Sequence, residues 1–409
     1  MFKFYNHASF LLDDILVDPW FSDSVFLSSW DLLSELKYNI NAINFNYLFI
    51  SHEHPDHFHI PTLRTINNPE SKTVIFHKTI DGKVLKFIKE MGFKTLECAN
   101  SEYQDLNFGK LRVESNGFDS FFVYKKKSGG TYVNLNDYQV VDEKDLTKLQ
   151  ITNVDFLLSQ FTYANWAGNK GDNQTPKRAQ RIIYDRLSTQ FKILKPKKWI
   201  PFASYNYFSH EENFHMNQYV PTMSDIKSFA DSKKIDYYFP QPDTYYDERL
   251  SSVGVQYFTT MKKMVKPKHK NNPKPFDDVK ESFQKMCDDI HYYNDMTLFD
   301  AEETYVKVSD WNCIIKYDIK SRNFERVEQS NYDIAMSSEC FDFMIKNKWG
   351  RGTVMISGRC ELNLETVNRF FNQTNLWYSN NIGKYLGKNL QLKEIVNQDN
   401  FYNRLISDL

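Results

Sequence analysis

Short apolar runs separated by polar turns fill the first 160 residues. ASFLLDD and ILVDPWF are two such runs that meet at Asp13-Asp14 and predict a hairpin. NYLFISHEH is an apolar strand that ends as histidines begin, which puts those histidines on a loop leaving a sheet edge. HIPTLRTI has helical spacing, KTVIFHK repeats the strand signal, and DGKVLKFIKEMGF reads as an amphipathic helix stopped by glycine. KLRVESN, SFFVYKKK, TYVNLNDYQVV and VDFLLSQFT add four more strands. Strands in this number with helices between them predict an αββα sandwich, an α/β fold of two sheets with outer helices.

Further along, PKRAQRIIYDRLSTQFKILKPKKWIPFASY predicts one long helix, then a strand, then a polar stretch bearing histidines. Residues 261–278, MKKMVKPKHKNNPKPFDD, are rich in Lys, Pro and Asn and nearly empty of apolar anchors, which reads as a solvated linker. The expected organisation is a domain over 1–265, a linker over 266–278 and a small α+β accessory domain over 279–409. TYVKVSD, NCIIKYDI and GTVMISGR are its expected strands, and DIAMSSECFDFMIKNKWGRGTVMISGR reads as helix, turn at Lys348 to Gly352, then strand.

Composition narrows the classes. Charged residues make up 25% of the 409 and the formal net charge is -1, so no broad attraction to nucleic acid or anionic lipid is expected. Aromatics reach 16%, which suits large apolar interiors. Five cysteines without a C-x-x-C pair read as reduced core thiols rather than a disulfide frame. The first residues lack the features of a signal peptide, and no apolar run approaches the roughly 20 residues of a membrane helix. A cytoplasmic protein with no membrane segment is the expectation.

The chemistry is concentrated in HEHPDH, residues 52–57. His52 and His54, two apart at a strand end, emerge on one side and can chelate one ion. Asp56 and His57 can turn toward a second, about 3.5 to 4 Å from the first in two-metal sites. Four coordinating side chains in six positions point to metal binding far more strongly than any single histidine.

H-x-H-x-D-H after a strand, preceded by HASFLLDDILVDPWF with Asp18 before a proline, resembles the metallo-β-lactamase superfamily. DPWFSDSVFLSSWDLL, ISHEHPDHFHIPTL, YVNLNDYQ and PFASYNYFSHEENFHMN together resemble one branch, the cytidine-monophosphate N-acetylneuraminate hydroxylase group, over about residues 5–250. The resemblance implies two divalent metal ions held by His52, His54, Asp56, His57, Asp137 and His210. Asp137 would bridge them, and His215 competes with His210 for the last position. The superfamily has one more histidine between His57 and the bridging aspartate. Here that region reads VESNGFDSFFVY, and Asp119 is the nearest candidate ligand, with Asn116 and Glu114 behind it. His77 lies one strand too early and reads as a packed strand histidine.

A carboxylate in place of imidazole hardens the site and favours iron or manganese over zinc. The expected function is therefore a dinuclear non-haem iron oxygenase acting on a sugar-nucleotide or similar polar small molecule, with Asp56 and His210 as catalytic residues. The neuraminate hydroxylases carry a Rieske domain, but no C-x-H occurs in this sequence, so electrons would come from a separate protein. Two alternatives stand beside this: a zinc-type hydrolase of an ester, lactone or phosphodiester, and a metal-poor binding protein with a decayed site. Tyr163 and Trp166 in FTYANWAGNKGDNQ, with His215 opposite, are the expected substrate-binding wall. Arg359 reads as a surface arginine.

Overall fold

The computed structural model describes residues 1–395 apart from 35, 80, 137 and 139–142. Two sheets face each other. The first has seven strands in the order Thr244–Tyr245, Phe2–Asn6, Ser9–Leu12, Ile15–Val17, Tyr47–Phe49, Thr73–His77 and Lys94–Cys98. The second has six, from Lys198–Phe202 through Phe156–Gln160, Thr131–Asn136, Ser120–Lys126 and Gly109–Ser115 to Tyr103–Asp105. The expected hairpin at Asp13-Asp14 forms, pairing Leu12 with Ile15. FKFYN is also a strand and pairs with Ser9–Leu12.

Strict alternation explains how the first sheet is covered on both faces. Val17, Phe49 and Ile75 point into the core between the sheets. Their neighbours Leu16, Leu48, Val74 and Phe76 point outward, where Leu85 and Ile88 of helix Lys83–Glu90 cover them. Ile15–Val17, Tyr47–Phe49, Thr73–His77 and Lys94–Cys98 run parallel. Phe2–Asn6 is antiparallel to a strand that is itself antiparallel to Ile15–Val17, so it too ends at their carboxyl edge. That edge is where open α/β sheets place ligands, and it collects His7, Asp18, His52 and His77.

Close packing leaves little slack behind the second sheet. Gly254, in helix Ser251–Met264, lies so near the carbonyl of Phe239 that an added Cβ would overlap it. Gly254→Ala should cost about 1–3 kcal/mol of stability through overpacking, read as a lower midpoint in urea unfolding; an unchanged midpoint would mean the helix can slide.

Beyond residue 300 a five-stranded sheet runs Asn323–Val327, Cys313–Asp318, Thr304–Val308, Ile334–Met336, Cys360–Leu362. Helices Phe276–Tyr293, Ser338–Lys346 and Asn368–Asn381 flank it. GTVMISGR, expected as a strand, is instead helix Gly350–Ser357. Gly350 is what lets this helix in, since a Cβ there would lie 2.6 Å from the carbonyl oxygen of Met344. The expected solvated linker is partly pinned: Lys268 N–H donates to Ser209 O at 2.8 Å, and His269 pairs with Asp31 at 2.7 Å. The core of this C-terminal unit is continuous with Trp20, Phe26, Trp30, Tyr163 and Trp166 of the N-terminal region. All five cysteines are free, and among the described residues no helix is long and apolar enough to cross a membrane.

Candidate metal centre

Asp18 organises the edge. It follows Ile15–Val17 with φ 38°, a left-handed conformation that aspartate tolerates better than most residues. Its carboxylate is fully buried and accepts four hydrogen bonds. Ser51 N–H donates at 2.8 Å, Ser51 Oγ at 2.7 Å, Asn136 Nδ2 at 2.9 Å and His57 Nδ1 at 2.9 Å. Because a carboxylate only accepts, the bond fixes a proton on His57 Nδ1 and turns Nε2 toward Asp56, 3.3 Å from Oδ2. Ser51 Oγ, having donated to Asp18, accepts from His52 Nδ1 at 3.0 Å. That leaves His52 Nε2 as the lone-pair nitrogen, and it meets His54 Nδ1 at 2.8 Å. Two imidazole nitrogens this close are joined either by a shared proton or by a cation.

His7, absent from the expected ligand set, joins the cluster. Its φ of 32° ends strand Phe2–Asn6 and swings the ring under the loop, where Nε2 lies 3.1 Å from Asp56 Oδ2. Donor atoms of His7, Asp56 and His57 all lie within 4.8 Å of one another, and all three residues are buried. Among the described residues, His7 Nδ1 and Asp56 Oδ1 are buried without hydrogen-bond partners. Burial alone would raise the Asp56 pKa, but the His57 and His7 rings beside it outweigh burial and hold the carboxyl well below the ordinary range. Three converging donors with unfilled valences on a buried carboxylate fit a cation. Trp20 stands edge-on to His7 at 5.4 Å and Phe26 edge-on to His54 at 5.9 Å, so aromatic rings wall both halves.

The other expected site residues divide. Asp119 is half-buried in the turn Asn116–Asp119. It adjoins the histidine loop, since the next residue, Ser120, donates from both N–H and Oγ to Ser51 O at 3.1 and 2.6 Å. Asp137 lies outside the described residues. His210 is not in the converging group. Its Nδ1 accepts Glu212 N–H at 3.2 Å, and burial beside the Arg359 guanidinium pushes its pKa down to about 4. Tyr163 is core rather than pocket wall: only 3% exposed, it donates its hydroxyl to Met216 O at 2.6 Å. Trp166 is buried too, its backbone N–H donating to Met355 O at 2.8 Å. His215 is half-buried with Nε2 3.5 Å from Gly168 O, and burial lowers its pKa.

Arg359 is not on the surface. Only 2% exposed, it pairs with Glu212 at 2.6 Å and Glu339 at 2.5 Å and donates to Leu27 O at 2.8 Å. His77 is buried with both ring nitrogens lacking a partner among the described residues; a backbone group of Gly117 faces the ring without closing a hydrogen bond of normal geometry. Burial, with His52 adding its charge, pushes the His77 pKa down to about 4. Near His54 the chain also does something costly. Phe26, Leu27 and Ser28 have φ of 51°, 59° and 55°, one turn of left-handed backbone. Each such residue costs about 1–2 kcal/mol for an L-amino acid.

Residues 1–159 match the family model described as the Beta-lactamase superfamily domain. Two facing sheets with the histidine loop at their edge and helices outside give the chain the metallo-β-lactamase fold. Similar solved structures include CmlA, a diiron beta-hydroxylase from Streptomyces venezuelae, at 12% identity and TM-score 0.40 over 58% of this chain and 52% of that one. This chain therefore spans about half the length of CmlA. A possible metal-dependent hydrolase from Veillonella parvula matches at 14% identity and TM-score 0.39 over 59% and 97%. The metallo-beta-lactamase fold protein YhfI from Bacillus subtilis matches at 13% and 0.38 over 59% and 97%. No curated protein matches the sequence.

Proposed function

We propose that the chain is a metal-dependent enzyme holding two divalent ions, and that its chemistry is oxygenation of a polar small molecule. The observation that carries the two-ion reading is the side-by-side placement of the His52–His54 nitrogen pair and the His7–Asp56–His57 donor group. His52 and His54, with Asp119 and Asp137, would hold the first ion. His7, Asp56 and His57 would hold the second, with His7 in the place first given to His210 and Asp137 shared. Such a pair, as iron, supplies two-electron reduction of dioxygen; as zinc, it supplies Lewis acidity toward an ester or phosphate oxygen.

The chain's own groups do the rest. Asp18 and Ser51 orient the rings of His57 and His52 through the bonds described above. Asp56 Oδ2 lies 3.1 Å from His7 Nε2 and 3.3 Å from His57 Nε2, so its negative charge is the centre on which both rings converge. Trp20 and Phe26 exclude water from the loop's flanks. The substrate would be a sugar-nucleotide or a metabolite of like polarity, with electrons delivered by a separate protein.

A zinc-type hydrolase is the second reading, and His77 favours it. By alternation its ring shares the inter-sheet face of Ile75, the charge of His52 reaches it, and neither nitrogen closes a hydrogen bond among the described residues. A first ion completed by His77 would sit among nitrogens, which suits zinc; completed by Asp119 it would sit among oxygens, which suits iron. Elemental analysis of protein grown with both metals decides between them. Two irons, one of them lost in Asp119→Ala but not in His77→Ala, is the outcome expected for the oxygenase. Two zincs with the reverse pattern would overturn it in favour of hydrolysis, and less than one ion per chain would overturn both.

A further inference from the structure

We infer that Arg359 is a positioning residue for the metal loop, acting through the left-handed turn Phe26–Ser28 to seat the Phe26 ring against His54. The inference rests on the metal-site reading above.

Three successive non-glycine residues with φ between 51° and 59° do not hold that conformation by themselves; they persist where surroundings over-determine them, and such strain gathers at functional sites. Here the surroundings can be named. Arg359 Nη1 donates to the carbonyl of Leu27, the middle residue, at 2.8 Å. Asn213 Nδ2 bridges Ser29 O at 3.0 Å and Ser357 O at 2.6 Å, and Ser209 N–H donates to Ser29 O at 2.8 Å. Arg359 is itself fixed, its Nε on Glu212 and its Nη2 on Glu339. Most of these restraints come from the C-terminal unit or from the His210–Asn213 segment that it contacts.

The turn's output is Phe26. Its ring is 4.7 Å from Trp30 and 5.9 Å from His54, edge-on in both cases. His54 is the half-buried histidine of the loop, while His52 and His57 are buried and tied to Ser51. The Phe26 ring edge against His54 is one of the contacts that keep Nδ1 aimed at His52 Nε2. Arg359, 305 positions away in sequence, thus bears on a metal ligand through one carbonyl and one ring. This gives the buried Arg359–Glu212–Glu339 cluster a role beyond joining two units: the metal site is complete only when the C-terminal unit is docked.

The test uses the full chain, with Co²⁺ as the probe and a competing chelator to measure each ion's affinity, and the melting temperature recorded in parallel. Arg359→Lys keeps the charge but cannot span both glutamates and Leu27 O; Phe26→Leu removes the ring and leaves the ion pairs intact. Each should weaken one of the two ions about tenfold, the lower end of what loss of an outer-shell partner costs, and leave the other unchanged. The double variant should be no weaker than the worse single, because both act through one contact. If Arg359→Lys does not fold, Ser28→Pro takes its place, breaking the turn from an exposed position whose φ proline cannot adopt. Variants with wild-type affinities, or losses that multiply in the double variant, overturn the coupling while leaving the metal reading intact. A wild-type chain that takes up no Co²⁺ overturns both.

Discussion

Asp56→Asn should strip the second ion from the protein while leaving the first in place. The substitution keeps the shape of the side chain and removes the charge on which His7 and His57 converge. An amide presents one acceptor, and its Nδ2 would face a ring nitrogen that already needs an acceptor. Loss of an outer partner of a metal ligand costs about 10–100-fold in affinity; loss of the charged ligand itself should exceed about 100-fold. The shift is large enough to see in stability. At a metal concentration 1,000 times the wild-type Kd, binding stabilises the fold by about 4 kcal/mol; a site 100-fold weaker recovers only about 1.4 kcal/mol at the same concentration. Elemental analysis after dialysis, paired with thermal melts with and without added Zn²⁺, reads both quantities. Full metal content in the variant would remove Asp56 from the ligand set and with it the geometric argument for a second ion.

The donors that were legible in the sequence are those set by local order. NYLFISHEH announces a strand and its loop together, because alternation and the ligand spacing fall within one short window. The two sheets were readable for the same reason: Leu48 and Phe49, or Val74 and Ile75, declare opposite faces by themselves. His7 was not legible. It sits 45 positions from His52, and only the pairing of Phe2–Asn6 with the hairpin brings the two to one edge. One signal was nonetheless present, a polar residue directly after or at the end of a strand, shared by His7, Asp18 and His77. Read as a set, these would have marked the carboxyl edge of a parallel sheet. For His210 the motif gives no sign of its neighbours, Glu212 two residues on and Arg359 149 positions away.

The helix Gly350–Ser357 shows how a local reading fails. Its Thr353, Val354 and Ile356 carry strand propensity, but the buried set Gly350, Arg351, Val354, Met355 has helical spacing. Tertiary packing decided the matter, with Gly350 admitting the close approach to Met344. Arg359 follows directly after that helix's glycine cap, Gly358 at φ 67°. An arginine read as trailing a strand looks exposed; the same arginine at a helix end that docks onto the N-terminal region is buried and paired.

Asp18→Ala should cost more than any other single change near the site short of a ligand, although Asp18 holds no metal in the proposed set. Its removal strands Ser51 N–H, Ser51 Oγ, Asn136 Nδ2 and His57 Nδ1 in a dry interior, and each buried donor left unpaired costs about 1–3 kcal/mol. Water cannot easily repair the loss, since Asp18 is fully buried. Alanine also tolerates φ 38° less well than aspartate. A loss of at least about 4 kcal/mol in urea unfolding of the metal-free protein follows. Asp18→Asn separates the two roles. Asparagine accepts the left-handed backbone and can take Ser51 N–H and one further donor on Oδ1, so about half of the loss should be spared. Its Nδ2, however, meets donors where Oδ2 met Ser51 Oγ, Asn136 Nδ2 and His57 Nδ1. His57 is then free to exchange its proton to Nε2, the nitrogen that must be bare to bind an ion. Asp18→Asn should therefore melt between Asp18→Ala and wild type without metal, yet bind the second ion about 10–100-fold more weakly. Equal affinity in Asp18→Asn and wild type would mean that the tautomer of His57 is set by something other than Asp18.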